Sequence, residues 1–118
     1  MEKLTIYHNP RCAKSRAALA ILQAHEFPLR VVEYLKEPPT RAELAGLRKK
    51  LGVPPAEWIR KKEPEFKQAG LSANSSEDQM LDAMATYPVL IERPIVVRGS
   101  RAVVGRPPER VLEIWGKT

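Results

Sequence analysis

Cys12 is the single cysteine in a chain of 118 residues, and it stands where a thiol can be made reactive. The run Thr5-Ile6-Tyr7-His8-Asn9-Pro10-Arg11-Cys12 carries a β-prone segment into a proline-containing turn, and good helix formers begin at Ala13. A helix N-terminus offers unpaired N–H groups and a partial positive charge. Both favour the thiolate, which is the nucleophilic form. Many lone cysteines are inert buried hydrophobes; the placement of Cys12 and its neighbours Arg11, Lys14 and Arg16 set it apart. His8 lies four residues earlier, where the turn can fold it back toward the sulfur. An imidazolium there would stabilise the thiolate, and a neutral ring could accept its proton. The same spacing also fits a histidine that merely finishes a strand with a satisfied hydrogen bond. His25 suits an exposed helix end.

Other chemistries lack their parts. Two histidines and one cysteine without a ligand cluster do not make a zinc site. There is no Gly-rich phosphate loop and no serine elbow. Arg16 gives the spacing C-x3-R, whereas a phosphotyrosine-phosphatase loop needs C-x5-R and position 18 is Ala18. Cys12 and Ser15 form C-x-x-S, so the chain has no second thiol to resolve a covalent adduct. If Cys12 turns over, a thiol must come from outside. Arg60, Arg93 and Arg106 stand beside prolines or helix boundaries, and guanidinium groups bind tetrahedral oxyanions through paired, charge-assisted hydrogen bonds. Solvated surface arginines fit the same positions.

These residues need a scaffold. Lys3 to Tyr7 reads as a strand, and Ala13 to about His25 as a helix apolar on most faces and therefore largely covered. Phe27-Pro28 ends that helix, and Leu29 to Tyr34 reads as a second strand, making a βαβ unit with a parallel pair. Thr40-x-x-Glu43 is a capping box before Leu44, Leu47 and Leu51, with Gly52 closing the helix. A short helix is expected over Pro55 to Lys62, then a broken stretch with Pro64 and Gly70. Ser76-x-x-Gln79 is a second capping box, with Met80, Met84 and Tyr87 on one face. Ile95 to Arg98 and Ala102 to Val104 form a hairpin around Gly99-Ser100-Arg101. A closing helix after Pro107-Pro108 presents Val111, Leu112 and Trp115 and ends at Gly116. The order predicts an α/β fold with a mixed sheet in one domain, residues 1–118, with a helical insertion at about 40–87.

The totals narrow the function. Hydrophobic residues at 43% suit a packed globule, and a net charge of +6 attracts anions without naming one. Basic residues are spread along the chain without a polybasic tail, which argues against nucleic acid as the partner. No signal peptide, membrane span or intrachain disulfide is legible, so a cytoplasmic location is expected.

Ile6-Tyr7-His8-Asn9-Pro10-Arg11-Cys12 with Ser15-Arg16 resembles the active-site signature of the glutaredoxin-coupled arsenate reductases, the ArsC family. Tyr34-Leu35, Pro38-Pro39, Ile59-Arg60-Lys61, Ile91 to Val97 and Gly105-Arg106-Pro107 follow in the family's order, as in its short bacterial members. The resemblance implies a thioredoxin-like fold, a mixed four-stranded sheet with the helical insertion between its second and third strands. It implies Cys12 as nucleophile, with His8 and Arg16 in its signature, and Pro94 as a cis proline facing the cysteine. It further implies Arg60, Arg93 and Arg106 as ligands of arsenate and of the arsenic-bearing adduct. Glutathione would be co-substrate, glutaredoxin the partner that resolves the mixed disulfide, and no cofactor or metal would be tightly bound. The competing classes are an Spx-type transcription regulator that binds RNA polymerase, whose redox-sensing members use C-x-x-C, and a glutathione-dependent thiol-exchange protein without arsenic chemistry.

Overall fold

The computed structural model describes residues 3–26 and 28–115. Strand β1 (Leu4–His8) alternates buried and partly exposed side chains along its length. Helix α1 (Ala13–Ala24) follows, then strand β2 (Leu29–Glu33). β1 and β2 pair in parallel, from Leu4 opposite Leu29 to His8 opposite Glu33. Strand β3 (Ile95–Arg98) pairs antiparallel with β1, and β4 (Arg101–Val104) antiparallel with β3. The sheet is mixed, in the order β2-β1-β3-β4. Gly99 adopts φ 56° in the two-residue turn between β3 and β4, a mirror-image conformation that matches hairpin twist and favours glycine. That turn is one residue shorter than the sequence suggests, because Arg101 joins the ladder opposite Arg98.

Two compact units form. One contains the described residues up to Glu37 together with those from Arg93 onward; the other is Pro38–Glu92. The first is built on Leu4, Ile6, Ala18, Leu22, Val96, Val103, Val111 and Ile114, which form one buried cluster. α1 buries only Ser15, Ala18 and Leu22. Ala17 and Ala20 are exposed, contrary to the expectation of a largely covered helix. An alanine buries little area, so leaving it in water costs little. The final segment, Pro108–Trp115, is a 3₁₀ helix rather than an α-helix. Its three-residue turn puts Val111 and Ile114 in the core and leaves Leu112 at 41% exposure, so Ile114 takes the place expected of Leu112. Phe27 and Gly116, read from sequence as helix ends, lie outside the described residues, as does the Trp115 side chain.

The second unit lies between β2 and β3 in sequence. Helix α2 (Arg41–Leu51) carries the Thr40–Glu43 capping box and ends at Gly52 with φ 71°. Of the helix expected over Pro55 to Lys62 only Pro55–Glu57 is helical, as a 3₁₀ turn; Ile59 instead forms a β-bridge with Ile91, which ends the expected helix early. The stretch taken as broken contains helix α3 (Pro64–Gln68), with proline in its first turn and Gly70 beyond its end. Helix α4 (Glu77–Thr86) carries the Ser76–Gln79 capping box and buries Met80 and Met84; Tyr87 is its C-cap. Trp58, Leu44, Met84, Leu90 and Ile91 are fully buried here.

Candidate active site

The turn from β1 into α1 is tied by its own polar groups. The Cys12 N–H donates to the Asn9 carbonyl at 3.0 Å, and the Arg16 N–H donates to the Cys12 carbonyl at 3.0 Å as the first helical bond. The Arg11 N–H donates to Asn9 Oδ1 at 3.0 Å. Arg16 Nη1 donates to the Pro10 carbonyl at 2.8 Å, so the Arg16 side chain braces the turn from outside. Ser15 Oγ accepts from the Asn9 N–H at 3.0 Å and lies 2.7 Å from His8 Nδ1. Asn9 thus engages the turn with its N–H, its carbonyl and its side chain. Sequence reasoning passed over it, although the Asn-Pro pair marks a turn.

Cys12 is the N-cap of α1, in extended conformation, and its side chain closes no capping hydrogen bond. Burial works against its ionisation. The Ser15 N–H, a hydrogen bond from the Arg93 guanidinium, the Lys14 N–H and the Arg93 charge outweigh that cost, and the Cys12 pKa falls below the ordinary thiol value. The helix N-terminus and Arg93 therefore favour the thiolate at this position.

His8 is 5% exposed. Burial lowers its pKa, Glu33 opposes this, and the Arg16 charge lowers it further, for a net fall below the ordinary imidazole value. The ring is therefore neutral near pH 7. What lowers the Cys12 pKa is main-chain N–H and Arg93.

Arg93 and Arg106 flank the β3–β4 hairpin. The Gly105 N–H donates to the Pro94 carbonyl at 2.8 Å, and Arg106 Nη1 donates to the Arg93 carbonyl at 3.4 Å. The Arg93–Pro94 and Arg106–Pro107 peptide bonds are cis. Arg93 Nε is buried and has no hydrogen-bond partner among the described residues, so this guanidinium keeps donor capacity for an anion. A Cβ at Gly105 would lie 2.9 Å from Pro94 Cγ and 2.7 Å from Val111 Cγ1. Nothing in the local sequence signals that crowding, because it comes from residues brought close by the hairpin.

Arg60 belongs to the other unit. Its N–H donates to the Leu90 carbonyl at 2.7 Å. Its guanidinium contacts Glu92 Oε1 at 2.9 Å and Glu63 Oε1 at 3.4 Å, and its Nε is buried without a partner among the described residues. The first unit thus gathers Cys12, His8, Arg16, Arg93, Pro94 and Arg106, and Arg60 is held by the carboxylates of the second. Among the described residues no group of three or more His, Cys, Asp or Glu side chains could hold a metal ion, and no helix is long and apolar enough to cross a membrane.

Comparison with known proteins adds to this geometry. The ArsC family profile matches residues 7–114. An uncharacterized Escherichia coli K12 protein, YfgD, is 46% identical over 117 residues, covering 98% of each chain. An arsenate reductase of Neisseria meningitidis is 43% identical over 113 residues, covering 94% of this chain and 97% of its own. The solved structure of an arsenate reductase from Vibrio cholerae superposes with a TM-score of 0.90 at 43% identity, covering 96% of this chain and 98% of that one. The architecture is thioredoxin-like, with helices α2 to α4 inserted between β2 and β3. On the profile match and these near-full-length similarities, the chain belongs to the ArsC family.

Proposed function

We propose that this protein is an arsenate reductase that works as one domain with its helical insertion. The observation that carries the reading is Cys12, held toward the thiolate by helix N–H groups and by Arg93, in a chain that matches named arsenate reductases over nearly its whole length. The Cys12 thiolate attacks arsenic(V) and displaces an oxygen ligand as water, forming a sulfur–arsenic bond. Glutathione then attacks the Cys12 sulfur. The electron pair of the sulfur–arsenic bond leaves with arsenic, which becomes trivalent, and a Cys12–glutathione disulfide remains for glutaredoxin to reduce. Arg93 and Arg106 hold the oxyanion, the family resemblance adds Arg60 as a further ligand, and fixed cations aimed at the developing charge supply a large share of the rate effect. His8 and Arg16 keep the nucleophile's turn in place. Glutathione as reductant fits a cytoplasmic protein with one thiol.

The likeness to full-length arsenate reductases sets this reading above an Spx-type regulator. The test is arsenate-dependent NADPH oxidation in the presence of glutathione, glutaredoxin and glutathione reductase. Wild type should turn over and Cys12→Ser should not; equal rates would sink the enzyme reading. Uptake of glutathione by Cys12 without any arsenate dependence would instead indicate simple thiol exchange.

A further inference from the structure

We propose that Ser15 is a positioning residue for the thiol chemistry: its hydroxyl fixes the His8 ring in one tautomer and ties it to the turn that carries Cys12. This rests on the assignment of Cys12 as the nucleophile. Ser15 is fully buried in the first turn of α1, where a polar group must find partners within the protein. A serine hydroxyl has one hydrogen and two acceptor sites. The Asn9 N–H can only donate, so it occupies one acceptor site at 3.0 Å. The other contact is His8 Nδ1 at 2.7 Å.

A neutral imidazole carries one N–H, at Nδ1 or at Nε2. Were it at Nδ1, both His8 and Asn9 would donate to Ser15, and the hydroxyl hydrogen would be buried with no acceptor among the described residues. A stranded buried donor is costly. With the proton on Nε2, Ser15 donates to Nδ1 and accepts from Asn9, so its buried hydroxyl has a partner for its hydrogen and for one acceptor site. Burial and the Arg16 charge keep the ring neutral against the opposing Glu33 on β2, so the choice is between these two tautomers. Ser15 thereby joins two parts of the site, the end of β1 through His8 and the turn through Asn9, three residues from the nucleophile. The residue that makes C-x-x-S useless for internal disulfide formation has a different task.

The experiment is nitrogen NMR of the His8 ring in the full-length protein, with Cys12 alkylation followed against pH in wild type and Ser15→Ala. Wild type should show the Nε2-protonated tautomer near neutral pH. Ser15→Ala should show mixed tautomers and, because the turn that presents Cys12 loses its tie to His8 and Asn9, a higher alkylation midpoint. A wild-type ring protonated at Nδ1 overturns the proposal without any variant. So does a Ser15→Ala protein that keeps either the wild-type tautomer or the wild-type alkylation profile. Neither readout contains arsenate, so a wild type that fails to reduce arsenate counts against the proposed function and not against this role of Ser15.

Discussion

Replacing Gly105 by alanine should loosen the loop that carries Arg93 and Arg106. The new Cβ would lie 2.7 Å from Val111 Cγ1 and 2.9 Å from Pro94 Cγ. Carbon atoms rest at about 3.5–4.0 Å, so both neighbours must give by roughly 0.6–0.8 Å. Val111 is fully buried in the core of its unit and Pro94 is a buried ring; neither can swing into solvent. The strain therefore passes into the backbone on either side. Overpacking of this kind costs about 1–3 kcal/mol, and for a chain of this size each kcal/mol lowers the Tm by roughly 4 °C. Thermal and denaturant melts of Gly105→Ala would measure the loss, and the arsenate KM should rise because Arg93 moves with Pro94. In a Val111→Ala background, which removes the nearer contact, the same change should cost less, a coupling that a double-mutant cycle detects. Melts and KM unchanged in Gly105→Ala would show spare room around Pro94 and refute the reasoning.

Arg93→Gln should move the Cys12 alkylation midpoint upward, because it removes a charge and a charge-assisted hydrogen bond from the thiolate; an unmoved midpoint would leave the helix N–H groups as the sole cause. His8 has a lowered pKa in the folded chain, so below about 6.5 the unfolded state binds more protons and stability falls as pH drops, until the folded value is reached. Denaturant melts of wild type and His8→Asn between neutral pH and about pH 5 should show a steeper loss in wild type; parallel curves would contradict it.

The legible parts of this fold are those whose causes are local. Thr40 with Glu43 and Ser76 with Gln79 announce helix starts because both partners of each capping box lie within one turn. The β-branched runs at Ile95 and Ala102 with Gly99 between them announce a hairpin for the same reason. Burial is less legible. The run Ala17 to Leu22 is apolar almost throughout, yet one face alone meets the core. The last helix misleads because its sequence fits a period of 3.6 as well as a period of 3, and the core selects Val111 and Ile114. At the site, the environment of Cys12 depends on Arg93, far along the chain, and no local spacing reports such a contact. Ser15 reads from sequence only as a missing second cysteine, since its partners His8 and Asn9 are reached through the turn.

The β3–β4 hairpin has a consequence for how such chains can vary. Register pairs Ile95 with Val104, and the Gly105-to-Pro94 bond extends the pairing one step beyond the strands, so residues 93 and 106 share a single support. The turn at Gly99 and Ser100 lies at the opposite end and is exposed. Residues added there lengthen a tip and leave the spacing of the two guanidinium groups unchanged. One residue added within either strand slips the register and turns one side chain of the pair to the other face of the sheet. Insertions and deletions in descendants of this gene should therefore collect at the tip, and the two cations should be inherited together.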